Sequence, residues 1–335
     1  MELLGLNKNF EPIGYIEFIN LQWIRRYYEC GEFSMQIRAQ DYDPDLMYLY
    51  TPERPEVGVV EKLHSNKDVN GSFLQVSGRF LESMLDRNVI CPEFVVSGKP
   101  RLLALEIVRA YGEDIPNLVI LECAEEDNDE IVEANYLGEN LSEVTYPLLQ
   151  GVECSQRIVY DYNTGQMQYS VWQGKDRTQS QNVNSYVLFS DVSNNTENIE
   201  VDEDTSGYRN YVIFKTPSGF YEYDGRASTD EPKRCIFIDE SNSDKTNSAF
   251  KRQAKEALLK WPKINNIEAD TMQVDLLYLE DYDLGDKCDI VSNELRRSYE
   301  SRIIEIREVF KDGKHEIQTV FGEKIPTIFE RMMNK

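Results

Sequence analysis

The six residues from Phe33 to Arg38 alternate without a break: Phe33, Met35 and Ile37 on one side, Ser34, Gln36 and Arg38 on the other. A period of two puts one face inside and one in solvent, so the segment reads as a half-buried strand. Similar short runs surround it. Ile13 to Phe18, Trp23 to Tyr28, Met47 to Tyr50 and Val57 to Lys62 read as strands. Glu29-Cys30-Gly31 and the Asp41 to Asp45 segment supply turns, and Asn70-Gly71 is a hairpin signal. Short strands at this spacing predict a small barrel or sandwich over residues 1 to 90. The 20 Tyr and 14 Phe of the chain lean the same way.

The stretch Gly71 to Ile90 forms the joint between this unit and the next. Phe73, Leu74 and Val76 make a strand, and Ser77-Gly78 is expected to break it in a sharp turn. Phe80, Leu81, Met84 and Leu85 then share one helical face. Residues 91 to 175 mix helix and strand. Leu102 to Tyr111 reads as a helix stopped by Gly112, and Leu118 to Leu121 as a strand. Asn140 can cap a helix bearing Leu141, Val144, Leu148 and Leu149, although Pro147 opposes a straight one. Ile158 to Tyr162 and Met167 to Trp172 form a hairpin around Asn163-Thr164-Gly165.

From residue 176 onward the expectation is again mostly strand. Asn182 to Thr205 reads as a long exposed loop around one strand, Tyr186 to Phe189. Tyr208 to Lys215 and Gly219 to Tyr223 make a hairpin around Pro217-Ser218, and Asp239 to Asn247 is polar. Phe250, Ala254, Ala257, Leu258 and Trp261 mark a packed helix over 247–261, ended by Pro262. Strands near Met272 to Leu279, Lys287 to Val291, Ser298 to Phe310 and Glu316 to Phe321 close the chain, with a turn at Asp312-Gly313.

At 335 residues the chain is too long for one ordinary small core, and two to four subdomains are expected. A hydrophobic content of 41% marks a globular protein. Against 60 acidic residues stand 36 basic ones, a net charge of −24, which opposes a grip on nucleic acid or an anionic membrane. Cys30, Cys91, Cys123, Cys154, Cys235 and Cys288 show no C-x-x-C pair, so buried reduced thiols are the expectation. His64 and His315 lie far apart, against a triad or a histidine metal site. MELLGLNKNFEP is not a signal peptide, and no apolar run reaches the length of a membrane span, so folding in a cytoplasm is expected.

Chemistry-bearing patterns are few. Glu125-Glu126-Asp127 with Asp129-Glu130 reads as solvated loop, since a glycosidase needs two carboxylates set across a cleft. Asp202-x-Asp204-x-Ser206-Gly207 imitates a calcium loop, but Ile213 stands where the bidentate Glu belongs. Asp41-x-Asp43-x-Asp45 lacks both the Gly and the Glu, so both segments read as turns. Gly174-Lys175-Asp176-Arg177 has no phosphate cradle and reads as a polar turn at a strand end. Arg79 and Arg87 suit local acidic partners or an interface; Arg25-Arg26, beside Trp23 and Tyr27, suits stacking or an interface. No catalytic, cofactor-binding or metal-ligating residue is assigned.

Four stretches, in order over nearly the whole chain, carry a resemblance. Trp23-Ile24-Arg25-Arg26-Tyr27 with Gly31-Glu32-Phe33-Ser34 resembles the opening hairpin of the siphophage tail proteins that form the baseplate hub, also seen as the N-terminal part of tail-associated lysins. Val76-Ser77-Gly78-Arg79 with its short helix is similar to that family's joint. Gly174 to Arg177 with Val187-Leu188-Phe189-Ser190 resembles its middle, and Asp283-Leu284-Gly285-Asp286 with Arg302-Ile303 its closing barrel. The resemblance implies a mainly β fold with an α+β insertion: a tube-like β-barrel domain at 1–90, a mixed α/β domain at 91–175, and a second tube-like barrel at 176–335. It implies a homotrimer that joins the sixfold tail tube and distal tail protein to a threefold tip. Further implied partners are the tape measure protein and tip or receptor-binding proteins. DNA would be only passing cargo, and no membrane anchoring or cofactor is implied. The place would be the virion tail tip, assembled in the host cytoplasm. The acidity then has two readings, solubility alone or a channel wall that DNA does not stick to.

The lysin branch carries a cell-wall-degrading domain beyond this region; the sequence ends at Lys335 without one, so that activity is not carried over. Two other classes stay open: a cell-wall-degrading tail lysin component acting through acidic loops, and a glycan-binding module using exposed aromatics.

Overall fold

A computed structural model describes residues 1–68, 71–123, 131–193, 195–242 and 245–322. Asn70 of the expected hairpin signal and the acidic run 125–130 lie outside these. The first strands are β1 (Leu4–Leu6), β2 (Pro12–Tyr15), β3 (Asn20–Arg26), β4 (Glu32–Arg38), β5 (Tyr48–Tyr50), β6 (Gly58–Asp68) and β7 (Gly71–Phe80). In β4 the alternation holds residue by residue, with Phe33, Met35 and Ile37 buried beside Trp23 of β3 and Val76 of β7.

The expected break at Ser77-Gly78 does not occur. β7 runs through both residues to Phe80, and only then does a 3-10 helix, Leu81–Arg87, begin. Gly78 is needed for the other reason that small size allows, a close backbone approach. A Cβ on it would meet the Val59 carbonyl oxygen at 1.8 Å. That crowding sits beside the register shift between Val60 and Lys62 of β6, a bulge that bends the β6–β7 pair.

The mixed segment holds β8 (Phe94–Gly98), α1 (Pro100–Tyr111), β9 (Leu118–Ile120), β10 (Val132–Tyr136), α2 (Leu141–Gln150), β11 (Ser155–Asp161) and β12 (Gln166–Trp172). α1 ends at Gly112 as expected, and α2 keeps Pro147 inside it. Its first turn is closed by the Glu143 carboxylate, which accepts the Asn140 N–H at 3.2 Å. Both helices give their apolar faces to one cluster with the strands, and α2 packs onto the 3-10 helix, which adds Leu81, Met84 and Leu85.

The last segment departs furthest from expectation. It holds β13 (Leu188–Ser190), β14 (Thr196–Asp204), β15 (Tyr211–Thr216), β16 (Gly219–Asp224), β17 (Cys235–Asp239), α3 (Asn247–Leu259), β18 (Ile264–Thr271), β19 (Lys287–Ser292), β20 (Arg297–Lys311) and β21 (Lys314–Gly322). Much of the expected loop 182–205 is therefore strand β14, which pairs with β18 and turns Ile199 and Val201 toward the core. The strand expected near 272–279 lies earlier, at β18, because the backbone after Thr271 breaks into turns. β17 was not anticipated; it adds in parallel to the β15–β16 hairpin, and Phe250 and Ala254 of α3 pack against this small sheet. α3 stops at Leu259, two residues short of Trp261.

Among the described residues the architecture is mostly β, with several sheets and few helices. The largest sheet has 13 strands and runs β14-β18-β21-β20-β3-β4-β7-β6-β5-β1-β2, with β13 and β19 joined at β20. Strands from the first 80 residues and strands from beyond residue 188 thus belong to one sheet, and β20 is where they meet. Its first half pairs with β19 from Arg297 to Arg302; its second half pairs with β3 from Glu305 to Lys311. Gly78→Ala is expected to destabilise the fold by about 1–3 kcal/mol or more through the clash with Val59, read from the chemical denaturation midpoint. An unchanged midpoint would show that β6 gives way freely.

Candidate functional site

The pairing of β3 with β20 brings charged side chains into a place where water is scarce. Arg26 of β3 stands opposite Glu305 of β20, and its Nε donates to that carboxylate at 2.7 Å. Arg25, 2% exposed, points to the other face. Its Nε donates to Glu56 at 2.7 Å, and its Nη1 to the Tyr278 hydroxyl at 2.7 Å and to Asp283 at 2.5 Å. Beside it, Arg54 grips both oxygens of the fully buried Glu308, at 2.7 and 2.5 Å, in the bidentate geometry that suits a guanidinium. Its guanidinium also sits 5.1 Å from the centre of the Tyr278 ring. His315, stacked on Phe310 at 4.1 Å, approaches Glu308 from β21 at 3.0 Å. Burial alone would raise the Glu308 carboxyl, but hydrogen bonds from Arg54 and His315 and the Arg54 charge hold it below its ordinary 4.5.

A second joint lies next to the first. Asp286, 3% exposed, accepts the Lys175 N–H at 2.7 Å and the Arg177 Nε at 2.6 Å. Gly174 and Gly285 touch so closely that a Cβ on Gly174 would meet the Gly285 carbonyl oxygen at 1.9 Å. Arg302 donates to that same carbonyl at 2.6 Å and lies 5.4 Å from the centre of the Tyr27 ring. The Tyr27 hydroxyl donates to the Glu153 carbonyl at 3.0 Å and accepts the Gly174 N–H at 3.3 Å. Segments near residues 27, 153, 174, 285 and 302 therefore converge on one tyrosine.

On the 3-10 helix, Glu82 is buried with one oxygen accepting the Ile158 N–H at 2.9 Å. Burial pushes its carboxyl up to about 7, and that hydrogen bond pulls only part of the way back. Arg79 forks onto Glu61 at 2.9 and 3.0 Å and also meets Asp86, while Arg87 approaches Glu61 at 4.0 Å.

The sequence reading assigned no site residue, and it treated Arg25-Arg26, Gly174 to Arg177 and Asp283 to Asp286 as separate stretches. The structure brings all three together. Asp43 accepts the Asp45 N–H at 2.9 Å in a turn, as expected, whereas Asp202 and Asp204 lie on strand β14 and the turn begins only after them, where Asp204 accepts the Ser206 N–H at 2.7 Å. The run 125–130 lies outside the described residues. Of the six cysteines only Cys154 and Cys288 are buried, whereas Cys91 and Cys235 are exposed, so the expectation of buried thiols holds in part. Among the described residues no group of His, Cys, Asp and Glu is placed to hold a metal.

Arg54, Glu56, Glu82, Tyr278 and Glu308 were missed. Glu308 had a legible signal: it shares the parity of the buried Ile306 in β20, so a carboxylate there points inward and demands a partner. Every charge in the seam meets another protein group, although His315, and Arg307 beside Glu305, also line an open groove. The cavity that contains Glu56 and Glu82 measures about 20 Å³. A larger open groove of about 750 Å³ runs over β3, β20, β21 and β18 without a Trp, Tyr or Phe in its wall.

Comparison with known proteins gives a consistent picture. Residues 2–323 match the family described as Siphovirus ReqiPepy6 Gp37-like protein. No curated protein matches the chain significantly. Among solved structures, a tail protein from Neisseria meningitidis MC58 shares the fold at a TM-score of 0.63 and 14% identity, with 96% of each chain covered. The 43 kDa tail protein of prophage MuSo2 from Shewanella oneidensis gives 0.63 and 13%, over 96% of this chain and 98% of that one. The Escherichia coli c3393 protein, described as a type VI secretion component with structural similarity to T4 tail proteins gp27 and gp5, gives 0.50 and 10%, over 92% and 74%.

Two substitutions test the seam. Arg54→Ala strands the Glu308 carboxylate and is expected to cost about 3–5 kcal/mol in denaturant unfolding; a loss under about 1 kcal/mol would place the pair among weak surface contacts. Glu82 stays protonated in the fold up to about pH 7, whereas the unfolded carboxyl releases its proton near 4.5. The folded state therefore holds the extra proton in that window, and stability contributed here falls as pH rises through it. Glu82→Gln should match the parent near pH 5 and exceed it by about 1–3 kcal/mol at pH 8; parallel pH profiles would refute the assignment.

Proposed function

Because this chain belongs to the Siphovirus ReqiPepy6 Gp37-like protein family, we propose that it is a structural hub protein of a phage tail or phage-tail-like particle. It acts through interfaces rather than catalysis. The observation that carries the reading is the end-to-end likeness of fold to tail proteins, which spans 96% of both chains for the Neisseria protein. A shared domain grafted onto a different protein would leave part of one chain unmatched. The likeness of the c3393 protein to gp27 and gp5 adds a relative from the same class of assembly.

In this proposal residues 1–90 and 176–335 form tube-like barrels and residues 91–175 a mixed unit. Three copies set their barrels around the tail axis, between the tube with its distal ring and the tip, and lie in contact with the tape measure and receptor-binding proteins. DNA passes through the middle, and the net charge of −24 suits a wall that does not hold it. The protein is assembled in the host cytoplasm and resides in the virion. Among the described residues no helix is long and apolar enough to cross a membrane.

The paired seam favours this reading over a hydrolase, whose two carboxylates need a cleft the size of a sugar. Light scattering of the purified chain, with imaging of the particle, should give a multiple of three copies on the tail axis. An off-axis position, or a copy number not divisible by three, overturns the hub. Release of fragments from purified cell wall, abolished by neutralising single carboxylates, would instead favour the lysin.

A further inference from the structure

The 20 Å³ cavity lies where three parts of the chain meet. Its wall takes Arg25 and Glu56 from the first segment, Glu82 from the 3-10 helix, Tyr146 from α2, and Gln156 and Trp172 from the β11–β12 hairpin. Such a volume is about that of a single water, which needs at least 10–15 Å³ and two to four polar partners. It is far too small for an organic ligand.

The polar atoms of this wall are not all used by the protein. Glu56 accepts from Arg25 through Oε1, and its Oε2 is buried without a protein donor. Gln156 is 3% exposed; its Oε1 accepts the Tyr169 hydroxyl at 2.6 Å, which fixes the amide, and its Nε2 approaches the Tyr146 hydroxyl without reaching full hydrogen-bond geometry to any protein acceptor. The Trp172 Nε1 is likewise a buried donor with no acceptor, while its ring is held edge-on to Tyr27 at 4.9 Å and lies 5.2 Å from the Arg157 guanidinium. The three side chains that carry these atoms line one water-sized space. A buried polar atom loses its hydration unless a partner replaces it, so three around one space are a strong demand for a partner.

We propose that this cavity is a built hydration site holding one ordered water, which accepts from Gln156 Nε2 and Trp172 Nε1 and donates to Glu56 Oε2. A cation is the wrong occupant, because Gln156 Nε2 and Trp172 Nε1 offer hydrogens and the Arg25 and Arg157 guanidiniums stand nearby. An anion would face the Glu56 carboxylate. Water alone can accept twice and donate twice in the same place. Its second hydrogen is available to the Glu82 carboxyl or the Tyr146 hydroxyl, both in the same wall. The water is then the mortar between β3, the 3-10 helix and the β11–β12 hairpin, joining the mixed segment to the main sheet where side chains alone leave a gap.

A crystal structure of the full chain at about 1.5 Å resolution or better decides the matter. The expected result is one fully occupied water peak within 2.7–3.2 Å of Glu56 Oε2 and Gln156 Nε2. An empty cavity, or a Gln156 amide that closes directly onto Glu56, overturns the proposal. In solution, oxygen-17 relaxation dispersion should count one long-lived internal water fewer in Trp172→Phe or Gln156→Met than in the parent. An equal count in whichever of these variants folds overturns it as well.

Discussion

The structure depends on one strand that serves two neighbours in succession. β20 is 15 residues long; its first part zips to β19 and its second part to β3. The switch between partners falls at the register shift between Ile303 and Glu305, where the Ile304 carbonyl is free to accept the Tyr27 N–H at 2.8 Å. A bulge of this kind bends a strand and re-aims the residues beyond it. Here it lets one backbone belong to the late strands and to the early ones. The two lie nearly 300 residues apart, so the pairing closes a very long loop. The entropy of such a closure grows only slowly with length, and it is opposed by contacts all along the seam.

Those contacts are largely ionic, which is a costly choice. Taking Arg25, Arg54 and Glu308 out of water loses solvation that a hydrophobic pair would not have had to lose. What charge adds is intolerance of error. A one-residue slip of β3 against β20 would turn Arg25 outward and carry Arg26 into the core without Glu56, Tyr278 or Asp283 to receive it. The same holds for Asp286, whose two acceptor oxygens fit Lys175 and Arg177 only when Gly174 lies against Gly285. The opposite pKa directions of Glu82 and Glu308 have the same origin. Glu308 takes hydrogen bonds from Arg54 and His315 and stays charged; Glu82 has mainly a backbone N–H and apolar neighbours, and keeps its proton.

Local patterns made much of this legible in the sequence, and non-local pairing hid the rest. The alternation of Phe33, Met35 and Ile37, the stop at Gly112 and the hairpin around Gly165 are properties of a few neighbouring residues, and they stand where the sequence puts them. β14 was hidden because its Glu and Asp residues look like loop; it is an edge strand, paired on one side only, and charge is tolerated there. Gly78 was misread because a glycine required by a neighbouring strand looks the same in sequence as one required by a turn. The convergence of Arg25, Arg177, Asp283 and Asp286 could not be seen, since nothing in the order of residues says that 25 meets 283. Only the parity of Glu308 with Ile306 offered a hint.

The seam also changes what the net charge means. Arg25, Arg26, Arg54, Arg79, Arg177 and Arg302 are each committed to partners inside the chain, most of them out of water. Paired charges leave the net of −24 unaltered, but they withdraw from the surface the guanidiniums best suited to phosphate. The solvent-facing surface is therefore poorer in cations than the composition suggests, and its field is that of the unpaired carboxylates. Phosphate binding needs clustered Lys and Arg and the release of counterions from the polymer. Six arginines held in the chain's own joints are six fewer for such a cluster.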